Sequence, residues 1–416
     1  MTNSVRSLGE SSVAIPRPPR PVDVFGLLAV VAVFCAVVEW LAAKLNLYID
    51  ELYSLHSTAF GIKEAIAQAR GFEQQPPLYF VALAAWRHVN GGDVFARQFS
   101  IACSVATLVL VWAFARRFVP TLPAWLVALV FAVNPVFIWA TLDIRVYALV
   151  MLLSAALTIL FFHAFFGASM PPARVAAFTI VETLGIYTQY FVGALLLGFA
   201  VALIFSDRRR RILPYALAML VVIAFASPLF IADLSHQLRQ ATDVTIVPPK
   251  VVAERMLGSM LGFVLPHYWT SGVSRLALIA YAAISIAIIV GAVRLVRPGR
   301  EQGALALVVL TSTLFFMAVI LVLKVPLEMP RHIAVLFVPL LFLTTALFAK
   351  PEGLGVRRLA VAYAVISVIF SLATDAKSYK PPFTKVGDWA RVGAYLTDHV
   401  DPSESIAVFD TEDVLG

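Results

Sequence analysis

The stretch VFGLLAVVAVFCAVVEWLAA, residues 24–43, decides the fold class of this chain. Its only ionisable carboxylate is Glu39, and the remaining residues are almost all apolar. A helix needs about 20 such residues to cross the hydrocarbon core of a bilayer. Backbone polar groups in lipid must be paired within the segment itself, so this stretch predicts a spanning helix.

Similar apolar stretches recur along the sequence. Hydrophobic residues make up 61% of the chain and charged residues 14%, whereas a soluble domain is about half apolar and a quarter charged. We therefore predict an all-α polytopic membrane protein. Its eleven predicted spans are residues 24–43, 97–116, 122–140, 147–167, 174–189, 191–206, 212–232, 273–294, 303–323, 332–349 and 358–374.

Basic residues predict the orientation of these spans. They are dense in alternate short loops, and such loops usually face the cytoplasm. We therefore place residues 1–23 in the cytoplasm, with loops 44–96 and 233–271 and the tail 375–416 outside. In the tail, a predicted helix at 386–399 and a strand at 405–409 suggest the start of a small α/β domain. The expected location is a membrane that the chain crosses several times.

Residues 76–89 are apolar but too short to span. If they crossed the bilayer, every later loop would change sides and the basic loops would face outward. We therefore predict a re-entrant or juxtamembrane helix. A second interfacial helix is predicted at residues 62–69, with Ile62, Ala65, Ile66 and Ala69 on one face.

Asp50 and Glu51 follow the first span, at the predicted outer interface, and Tyr53 comes just after them. Two acids in a first helical turn often only interact with the helix dipole. Alternatively, a carboxylate at membrane depth is a candidate catalytic base or metal ligand. Residue type alone leaves both interpretations open.

Gln75, Pro76 and Tyr79 belong to the segment QQPPLYF at residues 74–80. Prolines are tolerated in the first turn of a helix, where their missing N–H groups have no helical partner. The segment is therefore either a rigid start to the helix or part of a site. In the second case we expect the glutamines to face the Asp50 region.

Asp143, Arg145 and Tyr147 lie where the third predicted span ends and the fourth begins. A local ion pair is one interpretation, but charges at a bilayer boundary more often mark function. Gln189 and Tyr190 occupy a later outer turn, where aromatic anchoring is the simpler explanation. Arg331 and His332 start the tenth span; Arg331 could bind a phosphate or reach the lipid headgroups.

Composition also excludes several classes of function. Cys35 and Cys103 both lie inside apolar stretches, so neither a disulfide framework nor a cysteine metal site is predicted. The net charge of +7 suits anionic lipid. No nucleic-acid partner is expected, because the basic residues sit in short loops between spans.

The order of these motifs resembles the GT-C glycosyltransferases, in particular bacterial relatives of protein O-mannosyltransferases and of the aminoarabinose transferases that modify lipid A. The resemblance covers about residues 20–375. It implies that Asp50 is the essential first-loop carboxylate, that Asp143 is the second acidic position, and that Arg145, Tyr147 and Arg331 lie near a lipid phosphate. Gln75 departs from the lysine that the aminoarabinose transferases carry before the proline pair.

The resemblance further implies inverting transfer of a sugar from a polyprenyl-phosphate donor to an acceptor hydroxyl at the external face of a bacterial inner membrane. Asp50, Glu51 and Asp143 are the expected catalytic acids. The remaining predicted site residues are Tyr53, Gln75, Pro76, Tyr79, Arg145, Tyr147, Gln189, Tyr190, Arg331 and His332. Asp50 and Asp143 could instead bind Mg²⁺ or Mn²⁺. The acceptor, whether glycan, lipid A or other lipid, or protein, is left open. The alternative function is a transporter or flippase of a lipid-linked sugar.

Overall fold

The computed structural model describes residues 21–119, 122–240, 248–264, 301–323, 331–348, 354–381, 383, 385 and 389–401. Within these ranges all regular secondary structure is helical. In chain order the helices are α1 (Pro21–Lys44), α2 (Ile49–Ser57), α3 (Ile62–Gly71), α4 (Leu78–Arg87), α5 (Asp93–Phe118), α6 (Ala124–Ala132), α7 (Pro135–Leu142), α8 (Tyr147–Phe161), α9 (Pro172–Thr188), α10 (Gly193–Ile204), α11 (Ile212–Gln240), α12 (Pro249–Val264), α13 (Glu301–Leu323), α14 (Phe337–Phe348), α15 (Leu354–Ser378) and α16 (Trp389–His399).

Six of these helices are long and apolar enough to cross a membrane: α1, α5, α8, α11, α13 and α15. The bent pair α6–α7 qualifies as a seventh span when taken together. The predicted spans at 174–189, 191–206 and 332–349 coincide with the shorter helices α9, α10 and α14. The span predicted at 273–294 lies outside the described residues. The polytopic all-α class is confirmed, while the count of eleven stays a prediction.

The third predicted span is broken rather than continuous. Helices α6 and α7 meet at an angle of 63°. Pro135 has no N–H to continue the helical ladder, and it disfavours helical geometry at the residue before it. That residue, Asn134, caps α7 by accepting from the Val136 N–H at 3.0 Å, and it donates to the Phe263 carbonyl at 2.8 Å. The bend is therefore held from both sides.

Apolar packing places α8 at the centre of the bundle and α1 at its surface. The Phe161 ring of α8 stacks on Phe199 of α10, with ring centroids 4.3 Å apart. On α1, by contrast, Phe25 and Val33 are 70% and 65% exposed. Exposed apolar side chains along a helix of spanning length fit contact with lipid.

The segment between α1 and α5 folds into three short helices, α2 to α4. Helix α4 has 10 residues, about 15 Å of helix, which is half of what a span needs. Its length fits the re-entrant or juxtamembrane helix predicted for residues 76–89. On α3, Ala65 and Ala69 are buried whereas Ile62 and Ile66 are exposed. The predicted single apolar face is thus divided between the protein and its surroundings.

Helix α16 falls within the helix predicted for residues 386–399. The strand predicted at 405–409 lies outside the described part of the chain. The small α/β domain therefore stays a prediction.

Candidate active site

Glu51 is the most deeply buried carboxylate in the predicted outer loop. It lies in the first turn of α2, and its Oε2 accepts from the Tyr48 N–H at 2.9 Å. Arg97 donates to both carboxylate oxygens at 3.3 Å, the Ile144 N–H lies 3.2 Å from Oε1, and the Lys385 ammonium lies 2.9 Å from Oε2. Burial on its own would raise the pKa of Glu51, but Lys385 and Arg97 outweigh it and the pKa is lowered. The carboxylate therefore stays ionised, with both oxygens engaged.

Arg97 connects the start of α5 to the end of α1. Its side chain is 2% exposed and donates to the carbonyls of Ala42, Leu45 and Asn46 at 2.8, 2.9 and 2.7 Å. The last carbonyls of a helix have no partner within the helix, so a guanidinium satisfies them well. Through Arg97 and Glu51, three helices are joined at one end of the bundle.

Asp143 follows α7 directly and is also buried. Its Oδ1 lies 2.6 Å from the Lys385 ammonium, which also donates to the Leu142 carbonyl at 3.0 Å. The backbone carbonyl of Asp143 accepts a hydrogen bond from the Ser100 hydroxyl at 2.8 Å. Burial raises the pKa of Asp143, and the negative charge of Glu51 adds to that rise, although Lys385 opposes it. Asp143 is thus a paired internal acid.

Arg145 forms a second buried ion pair. Its Nη1 lies 2.8 Å from the Glu73 carboxylate, and it also donates to the Ser54 hydroxyl at 3.0 Å and the Asp50 carbonyl at 3.2 Å. Burial alone would lower the pKa of Arg145, but Glu73 reverses this and the pKa is raised. Glu73 also accepts from the Ser57 hydroxyl at 3.1 Å. This pair fastens α2 to the segment before α8.

Asp50 and Arg331 form the accessible part of the site. Arg331 Nη1 lies 3.7 Å from Asp50 Oδ2, longer than a hydrogen bond. The Arg331 side chain is 40% exposed and the Asp50 side chain 23%. Both groups therefore keep the capacity to bind an incoming molecule.

Three tyrosines predicted for the site adjoin this cluster: Tyr53, Tyr79 and Tyr147. Tyr79 is 1% exposed, and burial holds the pKa of its phenol well above the usual range. The Tyr147 ring stacks on the Trp139 ring, with ring centroids 4.8 Å apart. Tyr53 stays partly exposed, and its ring meets Phe72 edge-on at 5.1 Å.

The residue just before the QQPPLYF segment contacts Arg145, and the orientation predicted for the two glutamine side chains stays a prediction. Pro76 is buried and Gln75 half-buried, and the Gln75 N–H donates to the Ala69 carbonyl at 2.9 Å. Gln74 is exposed and has a positive φ of 54°. The side chain that reaches the Asp50 region with a hydrogen bond is the one before both glutamines, Glu73.

The turn containing Gln189 and Tyr190 lies further from the acids. Gln189 ends α9, and Tyr190 packs against Phe230 with ring centroids 5.3 Å apart. Phe191 meets the His332 ring at 6.3 Å, which connects this turn to the residue after Arg331. These residues border the site on the Arg331 side.

The donor set suits cationic side chains better than a metal ion. Among the described residues, no group of three or more His, Cys, Asp or Glu side chains is arranged to hold a metal. The two candidate ligands face different partners, Asp50 towards Arg331 and Asp143 towards Lys385.

Three residues of this cluster were not predicted from sequence: Glu73, Arg97 and Lys385. Glu73 and Arg97 carried a signal, since one adjoins the glutamine pair and the other is a charge at the edge of an apolar stretch. Lys385 carried none, because it lies after the last predicted span. Only folding brings it to the acids.

The sequence model of the dolichyl-phosphate-mannose-protein mannosyltransferase family matches residues 74–232. This region, less than half of the chain, contains Gln75, Tyr79, Arg97, Asp143 and Arg145. The match confirms the resemblance to the GT-C glycosyltransferases and supports a membrane glycosyltransferase. The family implies a lipid-linked sugar donor and an acceptor in a membrane. A search of curated proteins finds no match.

Proposed function

We propose that this protein transfers a sugar from a polyprenyl-phosphate donor to an acceptor hydroxyl at the external face of a bacterial inner membrane. One observation carries the proposal. In a cluster of four acids, Glu51, Glu73 and Asp143 are buried in short ion pairs, and Asp50 keeps an accessible carboxylate. A general base needs a free oxygen within reach of substrate.

The proposed reaction is a single inverting displacement. Asp50 removes the proton of the acceptor hydroxyl, whose oxygen attacks the anomeric carbon. The bond from that carbon to the phosphate oxygen breaks, and the polyprenyl phosphate leaves with the electron pair. Arg331 stands 3.7 Å from Asp50, where a guanidinium can stabilise the charge that builds on the phosphate. Confinement of both substrates at one interface supplies proximity.

The position of the cluster along α5 supports a site at a membrane boundary. Arg97 belongs to the cluster, whereas Arg117, near the other end of α5, pairs with Glu301 at 3.0 Å. Twenty residues of helix separate the two arginines by about 30 Å, the thickness of the hydrocarbon core. Basic loops at the Arg117 end favour the cytoplasm for that end, and therefore the outside for the site.

The proposal is tested by mass spectrometry of envelope glycans and lipids, in which a strain lacking this protein is compared with the same strain carrying wild-type or variant protein. Wild-type protein should restore the missing sugar, and Asp50→Asn should not, with transfer lowered by about 10²- to 10⁴-fold. Asp398→Asn, at an exposed acid on α16, is the matched control and should restore it fully. Wild-type levels of the sugar with Asp50→Asn would exclude Asp50 as the base.

A further inference from the structure

Lys385 reaches the acidic cluster from a part of the chain that carries none of the acids. It lies beyond α15, the last helix of spanning length, while the acids belong to the segments around α2 and α7. Its side chain is only 12% exposed. Its ammonium lies 2.9 Å from Glu51 and 2.6 Å from Asp143. One cation is therefore shared by two buried carboxylates from different segments.

Further contacts hold this part of the tail in place. The Lys385 N–H donates to the Asn46 side-chain oxygen at 2.6 Å. Two residues earlier, the Phe383 ring meets Trp40 of α1 edge-on, with centroids 5.3 Å apart. The tail is thus anchored to the end of α1 by two contacts, one at Phe383 and one at the backbone of Lys385. Lys385 is a built component of the cluster, not a surface lysine that happens to point inward.

The ammonium of Lys385 is surrounded by acceptors of the protein itself. An ammonium carries three N–H groups, and three acceptors surround this one: Glu51, Asp143 and the Leu142 carbonyl at 3.0 Å. Direct binding of a donor phosphate would require it to give up one of these partners. Its role must therefore be exerted through the carboxylates.

Lys385 also completes the charge balance of the cluster. The described cluster has four carboxylates, from Asp50, Glu51, Glu73 and Asp143. Four cations face them: Arg97, Arg145, Arg331 and Lys385. Without Lys385, Asp143 would lose its ion-pair partner, Glu51 would keep only Arg97, and the cluster would be left with one excess negative charge. Like charges in a buried site repel each other and any further anion.

We propose that Lys385 is a positioning residue that neutralises the Glu51–Asp143 pair, so that an anionic polyprenyl phosphate can bind beside Asp50 and Arg331. This inference rests on the proposed function for the identity of the ligand. Lys385 exchanges no proton and touches no reacting atom. It holds the start of α2 and the segment before α8 at fixed separation, and it removes the repulsion that the phosphate would otherwise meet.

The test measures binding of undecaprenyl phosphate to the full chain in lipid nanodiscs by native mass spectrometry. Lys385→Met should weaken binding by at least about tenfold, because Asp143 loses its ion-pair partner and Glu51 keeps only Arg97. Lys385→Arg keeps the charge and should retain most of the affinity. Lys380→Met, at an exposed lysine of the same tail, is the matched control and should bind as wild type does.

A charge-restoring double variant separates charge balance from a merely structural role. Lys385→Met combined with Asp143→Asn removes one cation and one anion, so binding should return to within about threefold of wild type. A lysine needed only to hold the tail would not be rescued by this change. Because the double variant leaves fewer buried charges unpaired, it should also fold if Lys385→Met does not.

Two results would overturn the proposal: wild-type binding by Lys385→Met, or a folded double variant that binds no better than the single one. Failure of the proposed function looks different. If Asp50→Asn kept full transfer while the charge rescue succeeded, the base assignment would be lost and the role of Lys385 would stand. If neither wild type nor any variant bound undecaprenyl phosphate, the donor class itself would be wrong.

Discussion

At the scale of single residues, two adjacent acids in the same helical turn have opposite environments. Side chains of consecutive helical residues point about 100° apart, so Glu51 faces the interior and Asp50 faces Arg331. Glu51 is fully buried and forms ion pairs with Arg97 and Lys385, while Asp50 remains accessible beside Arg331. From this difference we infer that Asp50 reacts and that Glu51 holds the site together.

Replacement of Glu51 should destabilise the protein more than replacement of Asp50. Glu51→Ala leaves Arg97 without its carboxylate partner in a buried position, and breaking such a pair costs about 3–5 kcal/mol. We expect a clearly lowered melting temperature in detergent or nanodiscs. Asp50→Asn should melt close to wild type, since its ion pair is long and partly exposed. Equal melting temperatures for the two variants would contradict the division of roles.

The lowered pKa of Glu51 predicts an acid-sensitive fold. Its ordinary pKa is about 4.3, and the folded value lies below that because Lys385 and Arg97 outweigh the effect of burial. The stabilisation is therefore fully present above the unfolded value and is lost as the pH falls through the lower folded value. Melting temperatures measured from pH 6 down to pH 3 should fall more steeply for wild type than for Glu51→Gln. Parallel dependence of melting temperature on pH in the two proteins would exclude Glu51 as the source of the acid sensitivity.

At the scale of helices, α10 and α13 approach closely at Gly198. A Cβ atom placed there would lie 2.8 Å from both the Ser312 hydroxyl and the Val308 carbonyl. The Ser312 hydroxyl in turn donates to the Ala194 carbonyl at 2.9 Å. Small residues and hydroxyl hydrogen bonds are the usual means by which helices pack in a membrane. The absence of a side chain at this position is what allows the contact.

Gly198→Ala should therefore separate these two helices. Overpacking of this kind costs about 1–3 kcal/mol, and we expect a lower melting temperature. Gly258→Ala on α12 is the matched control, because nothing lies within 4 Å of the added Cβ. It should be neutral or slightly stabilising, since alanine favours helix more than glycine does. A harmless Gly198→Ala would disprove the close α10–α13 contact.

At the scale of the whole molecule, the proposed orientation can be checked by labelling. In a background with Cys35 and Cys103 replaced, single cysteines are introduced at Lys63 on α3 and at Arg210 between α10 and α11, both exposed positions. A membrane-impermeant maleimide added to intact spheroplasts should label Lys63→Cys and leave Arg210→Cys unlabelled until the membrane is opened. Labelling of both from one side would refute the topology, and the reverse pattern would invert it.

The sequence by itself determined the class of this protein and the segments that form its candidate site. Long apolar stretches predict spanning helices because lipid offers no partner to a backbone N–H. Asp50, Asp143, Arg145 and Arg331 stood out because charges at a membrane boundary are costly. All four fall within one cluster, as the sequence led us to expect.

Only the tertiary structure decided how those charges pair. The partners of each ion pair are far apart in the sequence: 46 positions for Arg97 and Glu51, 72 for Arg145 and Glu73, and 242 for Lys385 and Asp143. No local sequence pattern predicts contacts over such separations. The Asn134–Pro135 break, the turn that brings Glu73 to Arg145, and the return of Lys385 to Asp143 each depend on packing between helices. Asp50 was identifiable from its place after the first span. That its carboxylate alone among the four acids stays accessible is a consequence of where Arg97, Arg145 and Lys385 come to rest.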